Sequence, residues 1–301
     1  MDSTLVSQVR QFNRTVTERV GALNERFLGR DRPLGQARLL WEIGKEGRDV
    51  RRLRSQLGLD SGYVSRLLRS LQAEGLVTVE PQQDDKRVRN VRLTPAGRAE
   101  RTLLDRSADD LAASLLQPLT DAQRTRLVTA MGDVERLLTA AIVTITPADP
   151  EHPDARHCMQ QYAAELDRRF EHGFDTAQSN VARPGELRPP AGLLLVARLH
   201  SQPVGCGALK FKPDAPTQIK RMWVDESARG LGVGRRLLYE LERHAAVHGT
   251  RVLHLETNRS LTAAISMYRS AGYTEVEAFN DEPYAHHWFE KHITPTPHEG
   301  L

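Results

Sequence analysis

The sequence predicts two domains, the first mainly α-helical and the second of mixed α/β class. At 301 residues the chain is long enough for two domains of ordinary size. Apolar residues recur at helical spacing through most of the first 140 residues, whereas helix and strand patterns alternate after them. Three prolines between residues 147 and 153 exclude a helix interior at the transition. We therefore predict domains at 1–141 and 142–301.

The composition is typical of a globular protein, with 39% hydrophobic and 27% charged residues. The longest uninterrupted apolar run, near residues 193 to 197, is far shorter than the ~20 residues of a membrane span. The first residues lack the basic-then-apolar pattern of a signal peptide. We expect both cysteines, Cys158 and Cys206, to be reduced thiols, and we expect a cytoplasmic protein with no membrane partner.

Charge is distributed unevenly between the predicted domains. Residues 1–140 hold 24 Lys and Arg against 19 Asp and Glu, whereas the rest of the chain holds 18 against 20. The excess lies in residues 48–101, with 12 basic and 7 acidic side chains. A locally basic segment is expected in a protein that binds a polyanion, although a solvated arginine-rich face has the same composition.

The first domain is predicted to contain a series of helices interrupted by one hairpin. A long helix is predicted over residues 4–30, ended by Pro33 and Gly35. A strand–turn–strand follows over residues 76–93. Two further helices are predicted at about 95–116 and 120–140, the second opened by a capping box of Thr120 and Gln123.

Residues 49–71 have the pattern of a helix-turn-helix. Asp49 and Asp60 each suit the cap of a helix, and Gly58 supplies the short turn between the two helices. In the second helix Val64, Leu67, Leu68 and Leu71 form a buried stripe. The opposite side is predicted to contact DNA through Ser61, Gly62, Ser65, Arg66 and Arg69.

The hairpin after this helix has a polar, basic tip, and Lys86 and Arg87 are predicted to enter a minor groove. Together with Asp85-x-Arg87 and the run Leu93-Thr-Pro-Ala-Gly97, the helix-turn-helix makes residues 1–140 resemble the MarR family of winged helix-turn-helix regulators. The resemblance implies a homodimer, joined by the first and last helices, that binds a pseudo-palindrome in double-stranded DNA. The alternative is a small helical domain with an exposed arginine face.

The second domain contains a glycine-rich loop between a strand and a helix. A β-prone run ends near Val224, and Arg229-Gly-Leu-Gly-Val-Gly234 leads into the next helix. Such glycines let backbone N–H groups converge on a pyrophosphate at the helix N-terminus. The loop lacks the Gly-Lys-Ser/Thr of nucleoside triphosphatases and the Gly-x-Gly-x-x-Gly of dinucleotide folds.

This Arg-x-x-Gly-x-Gly run resembles the acetyl-CoA signature of the GNAT superfamily of N-acetyltransferases. The strand 252–258, the helix 263–273 and an upstream hairpin at 193–210 follow in the order of that fold, so the resemblance covers about residues 142–292. It implies that the backbone near Met222 to Val224 binds pantetheine and the thioester oxygen, and that Tyr268 gives a proton to the departing sulfur. The implied acetyl-CoA-binding residues are Met222, Trp223, Val224, Arg229, Gly230, Leu231, Gly232, Val233, Gly234, Arg235, Asn258 and Tyr268.

The general base and the acceptor site are less defined by sequence. Many GNAT enzymes have a glutamate on the strand before the signature, where this chain starts with Gln218, so Glu226, Glu256 or a water chain must serve. Strand alternation predicts that Lys220 and Arg221 point to opposite faces, and that one of them holds a substrate carboxylate. Phe174, just after the first helix of the domain, is predicted to line the acceptor pocket.

The predicted function is a bifunctional transcription regulator that acetylates a small primary amine, with an amino-acid-like acceptor as one candidate. A regulator whose second domain senses acetyl-CoA or an effector without turnover is the alternative. A third hypothesis is an acetyltransferase whose winged domain only dimerises. No metal site is expected, because His244 and His248 lack the glutamate of a metalloprotease helix.

Overall fold

A computed structural model describes residues 2–24, 26–81, 89–180, 182–213 and 215–296. The chain forms two compact units, Met1–Ala130 and Met131–Leu301. Their division falls inside one helix, and the predicted boundary at residue 141 is the end of that same helix. The predicted classes are confirmed, since the first unit is mainly helical and the second contains a seven-stranded mixed sheet.

The first helix, α1 (Ser3–Arg19), is shorter than the predicted helix over residues 4–30, and that prediction is wrong. Gly21 has a left-handed backbone with φ of +63°, a conformation that commonly ends helices. Leu23 is exposed, whereas Phe27 lies in a short 3₁₀ turn, buried edge-on against Trp41. The apolar spacing therefore continued past the point at which the backbone turns away.

The helix-turn-helix is confirmed and contains α2 (Leu34–Ile43), α3 (Val50–Leu57) and α4 (Ser61–Ala73). Pro33 precedes α2 as its N-cap, so it starts a helix rather than ending α1. The carboxylates of Asp49 and Asp60 accept backbone N–H groups at the starts of α3 and α4, as predicted. Gly58 joins the two helices with φ of +61°.

A small antiparallel sheet follows, with β1 (Arg48–Asp49), β2 (Val77–Pro81) and β3 (Arg89–Leu93) in the order β1-β3-β2. The predicted hairpin is thus present. Its tip, with Asp85, Lys86 and Arg87, lies outside the described residues.

Two long helices complete the N-terminal part of the chain, α5 (Pro95–Leu116) and α6 (Asp121–Ala141). Both agree with prediction because the sequence carries their caps. Pro95 occupies the first turn of α5, and Thr94 accepts the N–H of Gly97. Thr120 and Gln123 form the predicted capping box, with Gln123 accepting the N–H of Thr120 at 2.9 Å.

A buried ion cluster stabilises this unit. The Glu100 carboxylate on α5 accepts hydrogen bonds from Arg30 at 2.6 Å and from Arg32 at 2.9 Å. Arg32 and Glu100 are each about 9% exposed, and Arg32 also reaches Glu74 at 3.2 Å. The segment after α1 is therefore held to α5 and to the end of α4 by charge.

The second unit alternates strands and helices: β4 (Thr144–Pro147), α7 (Pro153–Arg169), β5 (Gly192–Leu199), β6 (Gln202–Lys210), β7 (Thr217–Val224), α8 (Val233–Val247), β8 (Val252–Thr257), α9 (Thr262–Ser270), β9 (Thr274–Val276) and β10 (His287–His292). The strand order is β4-β5-β6-β7-β8-β10-β9, and only β7 and β8 are parallel.

Helices cover both faces of this sheet. Alternate residues of β5 and β6 pack with α7 on one face, including Cys206 against Cys158, whereas α8 and α9 pack on the other. Both cysteines are buried free thiols, as predicted. The cores on the two sides fix β7 in place between two layers of helix.

Candidate active site and DNA-contacting helix

A cleft opens where β7 and β8 separate. The two strands pair only at their starts, Thr217 with Leu253 and Gln218 with His254, and no further pairing joins them. The cleft has about 780 Å³ of empty space, part of it open to solvent. Its walls include residues 219–222 of β7, residues 255–258 around the end of β8, and side chains of α7 and α9.

A bulge in β7 lies where this strand borders the cleft. Arg221 has φ of +59°, and one extra residue of β7 lies opposite the stretch of β6 between Cys206 and Ala208. As a result Ile219 and Met222 pack in the same core, whereas Arg221 lies over the ring of Tyr162 on α7 and Lys220 reaches Glu256 on β8. The predicted opposition of Lys220 and Arg221 is wrong, because the bulge breaks the alternation and both line the cleft.

Lys220 and Glu256 form an ion pair across the gap between β7 and β8, with side chains 11% and 8% exposed. Lys220 bonds Oε1 of Glu256, whereas Oε2 is buried and, among the described residues, has no partner. The structure therefore brings Glu256 to the cleft. Glu226, the other predicted base, is exposed in a short 3₁₀ turn after β7 and does not line the cleft.

Tyr268 of α9 lines the same cleft and is 5% exposed. Burial, reinforced by the nearby Tyr162 and Glu256, raises the pKa of its phenol above the usual range. The hydroxyl consequently stays protonated at physiological pH, the state that a proton donor must have. No hydrogen-bond partner of this hydroxyl occurs in the described part of the chain.

The glycine loop after β7 is open where a phosphate group would need space. Gly230 and Gly232 have φ of +80° and +74°, and an added Cβ at either would have no atom within 4 Å. Gly232 is the N-cap of α8, whose first N–H groups have no partner inside the helix. This arrangement fits the pyrophosphate of a CoA molecule, since backbone donors converge at a positive helix end.

Glu165 binds the side chain of Arg229 and so holds it away from the space for the pyrophosphate. Its guanidinium bonds the Glu165 carboxylate at 2.6 Å and the carbonyl of Val224 at 3.3 Å. Glu165 also accepts the indole N–H of Trp223 at 2.9 Å and pairs with Arg169. Sequence reasoning missed Glu165, because its partners lie about 60 residues later in the chain.

Other predicted cofactor residues have structural partners. Asn258 donates to the carbonyl of Tyr284 at 2.7 Å and accepts the N–H of Ser260 at 2.9 Å, so it shapes the rim of the cleft. Arg235 is exposed on α8 and reaches Ser270 at 3.2 Å. Phe174 lines the cleft, as predicted, beside Tyr284, which the sequence did not indicate.

The helix α4 presents the predicted face. Val64, Leu67, Leu68 and Leu71 are buried, whereas Ser61, Gly62, Ser65, Arg66 and Arg69 are exposed. Arg66 lies over the ring of Tyr63 at 5.9 Å, and Arg69 donates to the carbonyl of Ser65 at 3.3 Å. Both arginines are thus pre-positioned by neighbours within their own helix.

Comparisons with known proteins agree with this architecture. A model of the acetyltransferase (GNAT) family matches residues 156–273, and a model of the MarR family matches residues 29–88. An IAA acetyltransferase of Azospirillum brasilense is 34% identical over 143 residues, which are 47% of this chain and 90% of that protein. The chain belongs to the GNAT acetyltransferase family. Its N-terminal part is a MarR-family winged helix-turn-helix.

Two further similarities are more distant. An uncharacterized N-acetyltransferase of Schizosaccharomyces pombe is 29% identical over 134 residues, 43% of this chain and 80% of that protein. The structure of MarR from E. coli is 26% identical with a TM-score of 0.38, and the match covers 42% of this chain and 94% of that one.

Family membership identifies the cofactor of the second domain as acetyl-CoA. Membership of the helix-turn-helix in the MarR family implies DNA binding. Among the described residues no group of three potential ligands could hold a metal ion. No described helix is long and apolar enough to cross a membrane.

Proposed function

We propose that this GNAT–MarR protein binds double-stranded DNA as a transcription regulator and transfers the acetyl group of acetyl-CoA to a small primary amine. One observation supports the enzymatic half most strongly. Glu256, whose buried Oε2 lacks a partner among the described residues, lines the same cleft as Tyr268, whose phenol is protonated. A potential proton acceptor and a potential proton donor therefore share one cleft.

Bound acetyl-CoA supplies the acetyl group as a thioester, so that a C–N bond forms on the acceptor as the C–S bond breaks. The glycine loop holds the pyrophosphate through backbone N–H groups, and residues 222–224 border the thioester. Arg229 serves this loop by fixing its position on Glu165 rather than by touching phosphate.

Two side chains of the cleft accept and donate the protons of the reaction. An acceptor that arrives as an ammonium ion loses a proton to Oε2 of Glu256 before nitrogen attacks. Lys220 bonds the other oxygen and so fixes the position of the carboxylate. Tyr268 gives its proton to the departing sulfur and is reprotonated by the second proton that the nitrogen loses, while Glu256 passes its proton to solvent, so one proton is released per turnover and both side chains regain their starting states.

The test begins with calorimetric titration of the full chain with acetyl-CoA, followed by thiol-release assays with a panel of small amines. We expect binding, and thiol release with at least one amine. Tyr268→Phe should lower kcat about 100-fold without changing acetyl-CoA affinity, as loss of a general acid does. Tyr239→Phe, on the exposed side of α8, is the matched control.

The two candidate bases are separated by paired variants. Glu256→Gln should lower kcat about 100-fold, as loss of a general base does, whereas Glu226→Gln should leave the rate unchanged. Equal losses in both variants would contradict the assignment of Glu256. Acetyl-CoA binding with no thiol release from any amine would favour a sensor, and absence of binding would overturn the account of the glycine loop.

For the regulatory half, Ser61, Gly62, Ser65, Arg66 and Arg69 are proposed to face the major groove, and Lys86 and Arg87 the minor groove. The net positive charge of residues 48–101 supports this arrangement. We expect binding to a random-sequence duplex to weaken steeply with salt. Arg66→Ala should raise Kd about 10-fold, whereas Arg106→Ala on the exposed side of α5 should not. Salt-independent binding would contradict the proposal.

The homodimer is proposed to form through an exposed apolar stripe on α1. Leu5, Val9, Phe12 and Val16 share one face of this helix and are 57%, 59%, 48% and 39% exposed. α6 carries exposed apolar residues as well, including Val128 and Leu138. Light scattering should give a dimer, and Phe12→Glu should shift it towards monomer. Arg10→Glu, about half a turn away on the opposite face, should not.

A further inference from the structure

One wall of the cleft is aromatic. The rings of Phe170, Phe174 and Tyr284 pack on one another with centroid separations between 5.0 and 5.7 Å. The hydroxyl of Tyr284 accepts the N–H of Asp175 at 2.9 Å, which fixes the third ring against the turn that carries Phe174. All three rings are half-buried and border the cleft, so they offer a ready surface for a flat apolar group.

The cleft also contains a positively charged group, the guanidinium of Arg221, which would bind an anionic part of the ligand. Its guanidinium lies over the ring of Tyr162 at 5.8 Å and donates to the carbonyl of Ala182 at 3.3 Å. Within the described residues no carboxylate lies within 4.0 Å of it. The left-handed backbone of Arg221 is an uncommon conformation for a residue with a side chain, and such strain concentrates at functional sites.

The charges that line the cleft are balanced. Lys220 forms an ion pair with Glu256. The Glu282 carboxylate accepts hydrogen bonds from the hydroxyl of Ser179 at 3.0 Å and from the N–H of Asn180 at 2.7 Å. Among the described residues, the Arg221 guanidinium has no carboxylate partner and Oε2 of Glu256 has no hydrogen-bond partner. A zwitterion satisfies both groups, whereas a polyamine or a simple dicarboxylate satisfies only one of them.

The helix α7 gives the scale of the ligand. Tyr162, Leu166 and Phe170 recur at four-residue steps, and all line the cleft. Residues eight apart on a helix are separated by roughly 12 Å along its axis. The apolar Leu166 therefore lies between Tyr162, which contacts Arg221, and the aromatic wall that includes Phe170. A ligand that contacts both Arg221 and the aromatic wall must have a side chain that extends well beyond its α-carbon.

We infer that the acceptor is a zwitterionic aryl amino acid, with its carboxylate on Arg221, its ammonium group facing Glu256 and its ring on Phe170, Phe174 and Tyr284. The inference rests on the proposed acetyl transfer and specifies its substrate class. The aromatic wall provides ring selectivity and Arg221 provides carboxylate selectivity, so the two can be separated experimentally.

Three acceptors that differ by one group each test the inference on the full chain: phenylalanine, phenylethylamine without the carboxylate, and alanine without the ring. We expect kcat/KM for phenylalanine to exceed that for phenylethylamine by about 10- to 100-fold, the range for a charge-assisted hydrogen bond. We expect a margin of about 10-fold over alanine, from ring packing and apolar burial.

Two variants assign each margin to its residue. Arg221→Gln should remove most of the preference for phenylalanine over phenylethylamine and keep the preference over alanine. Phe174→Ala should remove most of the preference for phenylalanine over alanine and keep the preference over phenylethylamine. This crossed pattern distinguishes a specific role from general damage to the fold, which would lower all three rates together.

Calorimetry provides a readout apart from turnover, by titrating phenylalanine, phenylethylamine and alanine into the protein saturated with CoA. If amines are acetylated but the three acceptors react and bind equally, the inference is overturned and the proposed acetyl transfer stands. If nothing is acetylated yet phenylalanine alone binds, with loss in Arg221→Gln, the binding site stands and the proposed function fails.

Discussion

Arg229 and Glu165 meet at 2.6 Å, and this ion pair ties the loop that begins the cofactor signature to the C-terminal end of α7. The same carboxylate holds the indole of Trp223 on the neighbouring strand end. One acidic side chain thus links α7, β7 and the glycine loop. The loop's geometry should therefore depend on a residue outside the signature.

Glu165→Gln should weaken acetyl-CoA binding about 10-fold, because an amide cannot replace the charge-assisted bonds of the carboxylate. Isothermal calorimetry measures the affinity directly. Glu171→Gln is the matched control, since Glu171 lies beyond the same helix in an exposed pair with Arg259. Equal affinities in the two variants would show that Arg229 does not need Glu165.

Gly232→Ala should also reduce acetyl-CoA affinity, and for a different reason. At φ of +74° a side chain strains the backbone by about 1 kcal/mol, and its methyl group enters the space offered to phosphate. Gly132→Ala is the control, because Gly132 lies within α6 with open space around it. That substitution should stabilise its helix by up to about 1 kcal/mol and leave affinity unchanged.

The buried tyrosines predict alkaline instability of the second unit. Burial raises the pKa of Tyr162 to about 12, and the pKa values of Tyr268 and Tyr273 are raised as well. The unfolded chain releases these protons near pH 10, whereas the folded chain keeps them. The free energy of unfolding should be insensitive to these groups below pH 10 and fall above it, by about 1.4 kcal/mol per pH unit for each phenol.

Urea unfolding at a series of alkaline pH values measures this slope. A Trp41→Phe background leaves the remaining tryptophans, Trp223 and Trp288, in the second unit, so fluorescence follows that unit alone. Tyr268→Phe should reduce the slope by the contribution of one phenol. An unchanged slope would mean that Tyr268 ionises in the folded protein.

The buried cluster around Glu100 predicts the opposite pH dependence in the first unit. Hydrogen bonds from Arg30 and Arg32 lower the pKa of the Glu100 carboxyl despite its burial. Its stabilisation is therefore present above the unfolded value near 4.3 and is lost as the pH falls below it. Glu100→Gln should cost about 3 to 5 kcal/mol at neutral pH, because Arg32 is left buried with too little negative charge.

Urea denaturation followed by circular dichroism at helical wavelengths measures this loss. Glu135→Gln, exposed on α6, provides the comparison and should change stability little. If both variants unfold at the same urea concentration, the Glu100 cluster contributes nothing net to folding.

Sequence predicted the elements whose signals are local. Thr94 with Pro95, and Thr120 with Gln123, set the starts of α5 and α6 within a residue, because capping depends on neighbours three positions apart. The buried stripe of α4 likewise follows from helical spacing alone. At α1 the local signal was misread, since the glycine stop at Gly21 outweighs continued apolar spacing.

The parts of the site that sequence missed depend on partners far along the chain. Nothing near Lys220 indicates Glu256 as its partner, 36 residues later, and nothing near Trp223 indicates Glu165, 58 residues earlier. The bulge is similar, because the extra residue is visible only when β7 is paired with β6. Motifs locate such a site, whereas the pairing of strands decides which side chains enter it.

The bulge at Arg221 has an evolutionary consequence. On either side of it, Ile219, Met222 and Val224 keep to one face of the sheet and Lys220 and Trp223 to the other. If Arg221 were deleted, the remaining residues would alternate without interruption, so the sheet could survive while the cleft lost the guanidinium. Arg221 thus behaves as a one-codon insertion. Under the acceptor-binding role inferred for Arg221, loss of three nucleotides would therefore change the acceptor range without rebuilding the sheet.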